Sequence, residues 1–441
     1  MVDGARAIDA WLDRVPVRRE VLEVVRAAPE AAYLVGGTVR DALLGRDSDD
    51  LDLAVDGRAT ALARRVADRI GGAYVLMDAE RDVARVLRRA GGRRQQFDFA
   101  GLRAEGIVAD LWARDFTVNA MALRVAREWG EILDPTGGRG DLAARRLRAV
   151  SAGAFRDDPL RILRGVRLSG ALGFALTADT EALAREWLPA LAGVSAERIR
   201  DEWLATVALE DPVPTLDLAA CLGVAARVLP EAAGDPAPWG RALATLRRLV
   251  DLERAARGGA SGEWAPLATA LVERADAELS PGRRRGLVQR LVGLLADVED
   301  PGAVAGRLRL SSREVRTARR TVGAGRQLLG DPPLGPLGVY RYYRAHGEDG
   351  VEGAVLAVAR AGGESGTSAR ARDLVAAWFH RYGEVVDPPR LVDGGDVLRL
   401  LGGAAGGPRV GALLEAVREA QVEGRVRTRD EALALLRAHL A

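Results

Sequence analysis

The chain contains no lysine. All 64 of its basic residues are arginine, which excludes a phosphate-loop lysine and a Schiff-base lysine. The guanidinium is then the one permanently cationic side chain left to hold a phosphate, a role it fills through bidentate geometry. A compositional bias toward Arg, Ala and Gly explains the same count, so the arginines support a phosphate partner without establishing one. Cysteine is nearly absent as well. The single Cys221 forbids an intrachain disulfide framework and a cysteine-built zinc site. Three scattered histidines, His346, His380 and His439, argue against a histidine-built metal site. No apolar run approaches the ~20 residues needed to cross a bilayer. The first residues, MVDGARAIDAWLDR, carry charges where a secretion signal carries an apolar core. No membrane partner and a cytoplasmic location are therefore expected. Net charge is only +2, so total charge gives no argument for a nucleic-acid partner.

What is present divides in two. At 441 residues the chain is long enough for two to four domains, each with its own core. Between residues 32 and 123, β-rich apolar runs fall at Tyr33–Val35, Leu51–Val55, Tyr74–Met77, Val83–Leu87 and Gln95–Phe99. A short helix-like run, Thr38–Leu44, separates the first two. The amphipathic stretch ATALARRVADRIGG, closed by a Gly pair, separates the second and third. The order is strand, helix, strand, helix and three strands, the last joined by turns such as Gly91-Gly92 and predicted to pair antiparallel. After about residue 150 the pattern becomes helical to the end. It is broken by Pro and Gly clusters at 231–240, 257–264, 330–338, 361–369 and 385–391.

The chemistry concentrates in YLVGGTVRDALLGRDSDDLDLAV, Tyr33 to Val55. On a strand, Asp50 and Asp52 point to one face. Two ionised carboxylates so close repel unless protonation or cations relieve them; hard divalent ions such as Mg²⁺ do so together with substrate phosphates. Two such ions ~4 Å apart can activate an attacking hydroxyl and neutralise a leaving pyrophosphate, a two-metal phosphoryl transfer. Alone, such a pair is more often a solvated strand edge. Gly36-Gly37, at the junction of strand and helix, lets a backbone approach a triphosphate, although a bare Gly pair is also an ordinary tight turn. Asp98, between Phe97 and Phe99 on the fifth run, is either a third carboxylate for the same site or a residue of the solvent face.

These residues together resemble a family. GGTVRDALLGRDSDDLDLAV is similar to the first signature of the tRNA nucleotidyltransferase and bacterial poly(A) polymerase family. ARDFTVNAMAL (113–123), DPTGGRGDLAARRLRAV (134–150), RDDPLRILRGVRLSGALGF (156–174) and SAERIRDEW (195–203) resemble the second to fifth, in the same order. Residues 394–436 resemble the tail of bacterial CCA-adding enzymes. The resemblance implies an α+β protein: a polymerase-β-like head with a five-stranded mixed sheet, then helical neck, body and tail. Boundaries are expected at 1–31 (helical lead-in), 32–150 (catalytic head), 151–230 (neck), 231–385 (body) and 386–441 (tRNA-binding tail). It implies template-independent addition of CMP and AMP to the tRNA 3′ end from CTP and ATP with Mg²⁺. The family's other activity, poly(A) synthesis on RNA 3′ ends, is the alternative. Carried over residue by residue, Asp50 and Asp52 are metal ligands, with Asp98 beside them as a third catalytic carboxylate. Gly36, Gly37 and Arg40 hold the triphosphate, and Arg114, Asp115 and Asn119 contact ribose and phosphates. The family's usual Arg-Arg-Asp is broken here by Ala113.

Within the fourth signature, a helix that began at Asp157 would set Asp158 and Arg161 at i and i+3 on one face. A carboxylate beside a guanidinium matches the edges of cytosine and adenine, whereas uracil and guanine oppose a carbonyl to the carboxylate, at about 1–3 kcal/mol for the unpaired acceptor. The competing description is a plain surface salt bridge. Arg164 and Arg167 continue the helix, either toward base and phosphates or as a solvated basic face. Asp141 and Arg148, in a stretch that reads as the hinge between head and neck, are expected to pair with each other. Only GLRAEGIVA (101–109) links the Asp98 strand to the second signature. That shortness resembles enzymes that add only CC and leave the terminal A to a separate enzyme. The Asp158–Arg161 pair suits adenine equally, so both outcomes stay open at this level.

Overall fold

A computed structural model describes residues 4–90, 93–259, 262–330, 335–362, 365–402 and 407–440. The Gly91-Gly92 turn lies outside them. The chain forms two compact units: one runs to Ser195 and takes in Cys221–Val224, and the other comprises the remainder.

In the first unit, two helices, α1 (Gly4–Asp13) and α2 (Pro16–Ala27), precede β1 (Ala31–Val35), α3 (Gly37–Leu43), β2 (Asp50–Asp56) and α4 (Ala59–Ile70). Strands β3 (Ala73–Asp78), β4 (Val83–Ala90) and β5 (Arg93–Gly101) follow, then the short helix α5 (Gly106–Trp112), a 3₁₀ turn at Thr117–Asn119 and β6 (Ala122–Arg124). All five expected strands form, and β6 adds a sixth. The sheet order is β3-β4-β5-β2-β1-β6. The β2–β5 pair is parallel and the other pairs are antiparallel, including the expected β3–β4 and β4–β5. The sheet is therefore mixed.

Period-two burial assigns its faces. Leu51 and Leu53 on β2 and Phe97 and Phe99 on β5 are in register and buried. The opposite face carries Asp50, Asp52 and Asp98. Beyond Asp52 that face closes over a core of Val35, Ala54, Ile107, Leu111, Ala120, Ala122 and Val150. Helix α5 thus lies on the carboxylate side of the sheet, anchored by Ile107 and Leu111 one turn apart.

The unit continues with α6 (Gly138–Ala143), β7 (Arg146–Leu147), α7 (Ala154–Asp157), α8 (Arg161–Leu172), β8 (Ala175–Leu176), which pairs with β7, and α9 (Ala178–Trp187). The stretch read as a hinge is tightly packed. A Cβ on Gly138 would stand 2.1 Å from the Thr117 carbonyl oxygen, so only glycine fits. Asp141, buried, accepts from Thr117 Oγ1 at 2.7 Å and from Arg148 Nε at 2.8 Å, the expected pairing.

The second unit is a stack of helices, the longest being Pro236–Arg257 and Ser312–Leu329, with one minimal hairpin of Glu278–Ser280 and Arg283–Arg284. One of its cores gathers Tyr340, Tyr342, Tyr343, Leu374 and Val375. A separate small core, with Val397, Leu413, Val417 and Leu436, holds the last three helices. No helix among the described residues is long and apolar enough to cross a membrane.

Candidate active site

The site is built around the turn between β1 and α3. Gly36 has φ of 64°, the left-handed region that favours glycine. A Cβ on Gly36 would lie 3.1 Å from Arg114 Nη1 and 3.4 Å from Asp52 Oδ2; one on Gly37 would lie 3.4 Å from Arg40 Nη2 and from the same Asp52 oxygen. One carboxylate and two guanidiniums therefore meet over bare backbone. The Asp52 N–H donates to Thr38 Oγ1 at 2.7 Å, which locks β2 to the first turn of α3. The loop entering β2 is held from below. Trp11 Nε1 donates to the Arg46 carbonyl at 2.9 Å, and Arg18 stacks 3.4 Å over the Trp11 ring while donating to the Ser48 carbonyl.

Asp50 is exposed and Asp52 half-buried on the same strand face. Burial, then the negative charge of Asp98, push the Asp52 carboxyl up to about 6, with Arg114 and Arg40 opposing the rise. Partial desolvation at the start of β2, then Asp98, raise the Asp50 carboxyl too. The pair is short of positive charge, which is the condition a divalent cation relieves. Asp98 stands beside Asp52, as its register partner on the parallel strand. Its carboxylate is taken, however: Arg85 Nε and Nη2 donate to its two oxygens at 2.7 and 2.9 Å, and Gln96 Nε2 donates at 3.1 Å. Among the described residues no three or more His, Cys, Asp or Glu side chains are arranged to hold a metal ion. The carboxylates of this face therefore form a pair, with the third bound to an arginine.

The second signature supplies a network. Arg40 binds Asp41 through two nitrogens at 2.9 Å and donates to Asn119 Oδ1 at 2.5 Å. Asn119 Nδ2 donates to Asp115 Oδ1 at 3.1 Å, and the Phe116 N–H donates to the same oxygen at 2.8 Å. Arg164 occupies Asp115 Oδ2 with Nε at 3.0 Å and Nη2 at 2.9 Å. Burial alone would raise the Asp115 carboxyl, but Arg164 and these hydrogen bonds outweigh it and hold it below the ordinary carboxylate range. With four donors the carboxylate is saturated. Arg114 is aimed by Asp110, which is 2% exposed and accepts from Arg114 Nε at 3.1 Å and Nη2 at 2.9 Å.

The fourth signature begins its helix later than the spacing predicts. Asp158 is extended (φ −150°, ψ 98°), and α8 starts at Arg161, because the residue before a proline, here Pro159, is disfavoured from helical backbone; Asp158 Oδ1 accepts from the Leu160 N–H at 3.2 Å. Arg161 reaches back to the second signature: Nη2 donates to the Ala113 carbonyl at 2.7 Å and Nη1 to the Arg114 carbonyl at 3.0 Å. A third bond, from Nη1 to the Ala154 carbonyl, is 3.2 Å. Arg167 is half-buried about two turns along α8.

Sequence reasoning missed Thr38, Arg85 and Asp110. Two of them carried a signal. Asp110, in the last turn of α5, precedes Arg114 by four residues, the spacing of a helical ion pair. Counting outward from Gly91-Gly92 as a two-residue turn brings Arg85 opposite Asp98, the register observed.

Comparison with known proteins follows this geometry. Residues 32–148 match the family described as "Poly A polymerase head domain", and residues 173–235 the one described as "Probable RNA and SrmB- binding site of polymerase A". A CC-adding tRNA nucleotidyltransferase of Geobacter sulfurreducens is 35% identical over 420 residues, 95% of this chain and 94% of that one. An A-adding tRNA nucleotidyltransferase of Deinococcus radiodurans is 33% identical over 431 residues, 92% of this chain and 95% of that one. A solved CCA-adding enzyme in complex with CTP shares the fold, with a TM-score of 0.70 at 21% identity over 99% of this chain and 98% of that one.

Proposed function

The chain belongs to the tRNA nucleotidyltransferase and poly(A) polymerase family, and from that premise we propose that it adds cytidylates from CTP to the 3′ end of tRNA and stops after CC. The transfer rests on the convergence of Asp52, Arg40 and Arg114 on Gly36-Gly37. Phosphoryl transfer needs little covalent chemistry from a protein; it needs positioning and charge. Asp50 and Asp52 would hold the divalent cation, Mg²⁺, which when bound activates the attacking 3′-hydroxyl and neutralises the leaving pyrophosphate. The glycine turn admits the triphosphate close to Asp52. Arg40 and Arg114, aimed by Asp41 and Asp110, take its charge. Asp115, saturated by its own neighbours, orients Arg164 and Asn119 rather than touching the ribose.

Asp158 and Arg161 are the base-reading pair in this proposal. In the arrangement described, Arg161 braces α8 against the carbonyls of Ala113 and Arg114. With the Ala154 carbonyl these take three of the five guanidinium N–H donors, and the two that remain, one on Nε and one on Nη2, are those proposed to meet the base edge.

The choice of CC over CCA rests on one observation. Only residues 102–105 separate β5 from α5, and α5 is pinned to the sheet by buried Ile107 and Leu111. The relatives' names do not decide the matter, since a CC-adding and an A-adding protein are 35% and 33% identical over most of the chain. The test is tRNA without its 3′ end, and separately tRNA ending in CC, each offered with CTP, ATP and Mg²⁺. Two cytidylates and no adenylate are expected. Efficient adenylation of the CC-ended tRNA overturns the CC-only assignment, and labelling of unrelated RNA with ATP alone overturns tRNA as the substrate.

A further inference from the structure

Three side chains on the carboxylate face stand in one row across adjacent strands. Asp52 on β2 is the register partner of Asp98 on β5, and Asp98 is the register partner of Arg85 on β4. Neighbouring strands lie ~4.8 Å apart, so the row puts a second carboxylate next to Asp52 and a guanidinium immediately beyond it. Arg85 is held on this face by its neighbours: Ala84 and Val86, both 0% exposed, point to the other side. The Arg85–Asp98 contact is bidentate, at 2.7 and 2.9 Å, with both side chains about one-third exposed. Fork-to-fork pairing of this kind fixes orientation as well as charge.

Building on the metal assignment proposed above, we propose that Arg85 is a positioning residue that keeps Asp98 out of the cation's coordination. The ion is then held by two carboxylates, Asp50 and Asp52. Arg85 and Asp98 together form an electrically neutral pair beside them. The logic is one of competition for a single set of oxygens. Asp98 is near enough to Asp52 to serve the same ion, but both of its oxygens already accept from a permanently charged fork. Gln96, the register partner of Asp50, donates to Asp98 Oδ2 from the same face and helps to hold it. A site with three carboxylates and no counter-charge would hold a divalent ion more tightly.

The experiment is Mn²⁺ binding to the full chain without nucleotide, measured as free Mn²⁺ by electron paramagnetic resonance, with far-UV circular dichroism checking that each variant is folded. Asp52→Asn reports on the site itself, and its affinity should fall at least tenfold. Arg85→Leu frees Asp98 and removes a nearby positive charge, so its affinity should rise about tenfold. Asp98→Asn leaves Arg85 unpaired beside the site and should weaken binding. The decisive protein is the double variant Arg85→Leu with Asp98→Asn, which removes one charge of each sign. Its affinity should return to within about twofold of the unmodified chain. If the double variant loses affinity as Asp52→Asn does, Asp98 is a ligand and the proposal is overturned. An unchanged or weakened affinity in Arg85→Leu overturns it as well. An unchanged affinity in Asp52→Asn is a distinct failure, because it removes the metal assignment on which the proposal stands.

Discussion

Replacing Asp52 by asparagine should make the metal-free protein more stable at neutral pH while abolishing nucleotide transfer. The Asp52 carboxyl is raised from its ordinary 3.8 to about 6 by burial and by the charge of Asp98. The folded state therefore binds this proton more tightly than the unfolded chain. The stabilisation is complete below about pH 4 and is lost as pH rises through about 6. A rise of that size corresponds to roughly 3 kcal/mol, and because Asp52 keeps some contact with solvent, about 2 kcal/mol is the working figure. Asparagine carries no charge at any of these pH values, and the backbone N–H to Thr38 Oγ1 is untouched. The difference in stability between variant and wild type should thus grow from near zero at pH 4 to about 2 kcal/mol in favour of the variant at pH 7.5. Urea denaturation of both proteins at the two pH values, in EDTA, measures it, and titrating groups remote from Asp52 cancel in the comparison. Added Mg²⁺ should stabilise the wild type and leave the variant unmoved. A variant that is less stable at pH 7.5, or a difference that does not change with pH, would refute the electrostatic account. Retained incorporation of CMP would refute the assignment to catalysis.

Three further outcomes follow from the same geometry. Asp158→Ala removes the acceptor proposed to read the exocyclic amine, so UTP should compete with CTP in a mixed-nucleotide incorporation assay; an unchanged preference reduces Asp158 to a cap for Leu160. Asp110→Asn leaves Arg114 without its buried partner, and the expected cost is about 2 kcal/mol in a denaturation experiment together with a raised KM for CTP. A loss of stability with an unchanged KM would make the Asp110–Arg114 pair purely structural. Gly36→Ala places a Cβ 3.1 Å from Arg114 Nη1 at a φ of 64°. It should lower kcat/KM for CTP at least tenfold with a melting temperature within a few degrees of wild type, and near-normal kinetics would show that the turn does not face the nucleotide.

The head was legible because its signals are local. Period-two apolar runs placed five strands within a few residues of their observed ends, and the same period put Asp50 and Asp52 on one face. β6 escaped because it is only three residues, Ala122–Arg124, inside a segment whose motif reads as chemistry rather than as a strand. Arg85 was overlooked although the turn arithmetic contained it, since a lone arginine among Val and Ala on a strand attracts no attention until its partner is known. The role of Arg161 had no signal at all. Two of its three acceptors are backbone carbonyls of Ala113 and Arg114, 48 and 47 residues earlier, and a carbonyl looks the same under every side chain. The late start of α8, by contrast, had a signal in Pro159, which disfavours helical backbone at Asp158.

The linker shows why length alone understates what the structure contributes. From sequence, GLRAEGIVA is only short. In the fold it runs into α5, and residues 107–114 form a strut. Ile107 and Leu111 are buried on the carboxylate side of the sheet. Asp110 binds Arg114, whose guanidinium reaches the Gly36 turn, and the Ala113 and Arg114 carbonyls hold Arg161. A segment tied at three points to phosphate-side and base-side residues transmits rigidity to both. A pocket that must change shape to accept a larger purine after two pyrimidines needs one of those ties to be loose. Here each tie is a buried side chain or a charge-assisted hydrogen bond, and that rigidity is what the proposed stop after CC rests on.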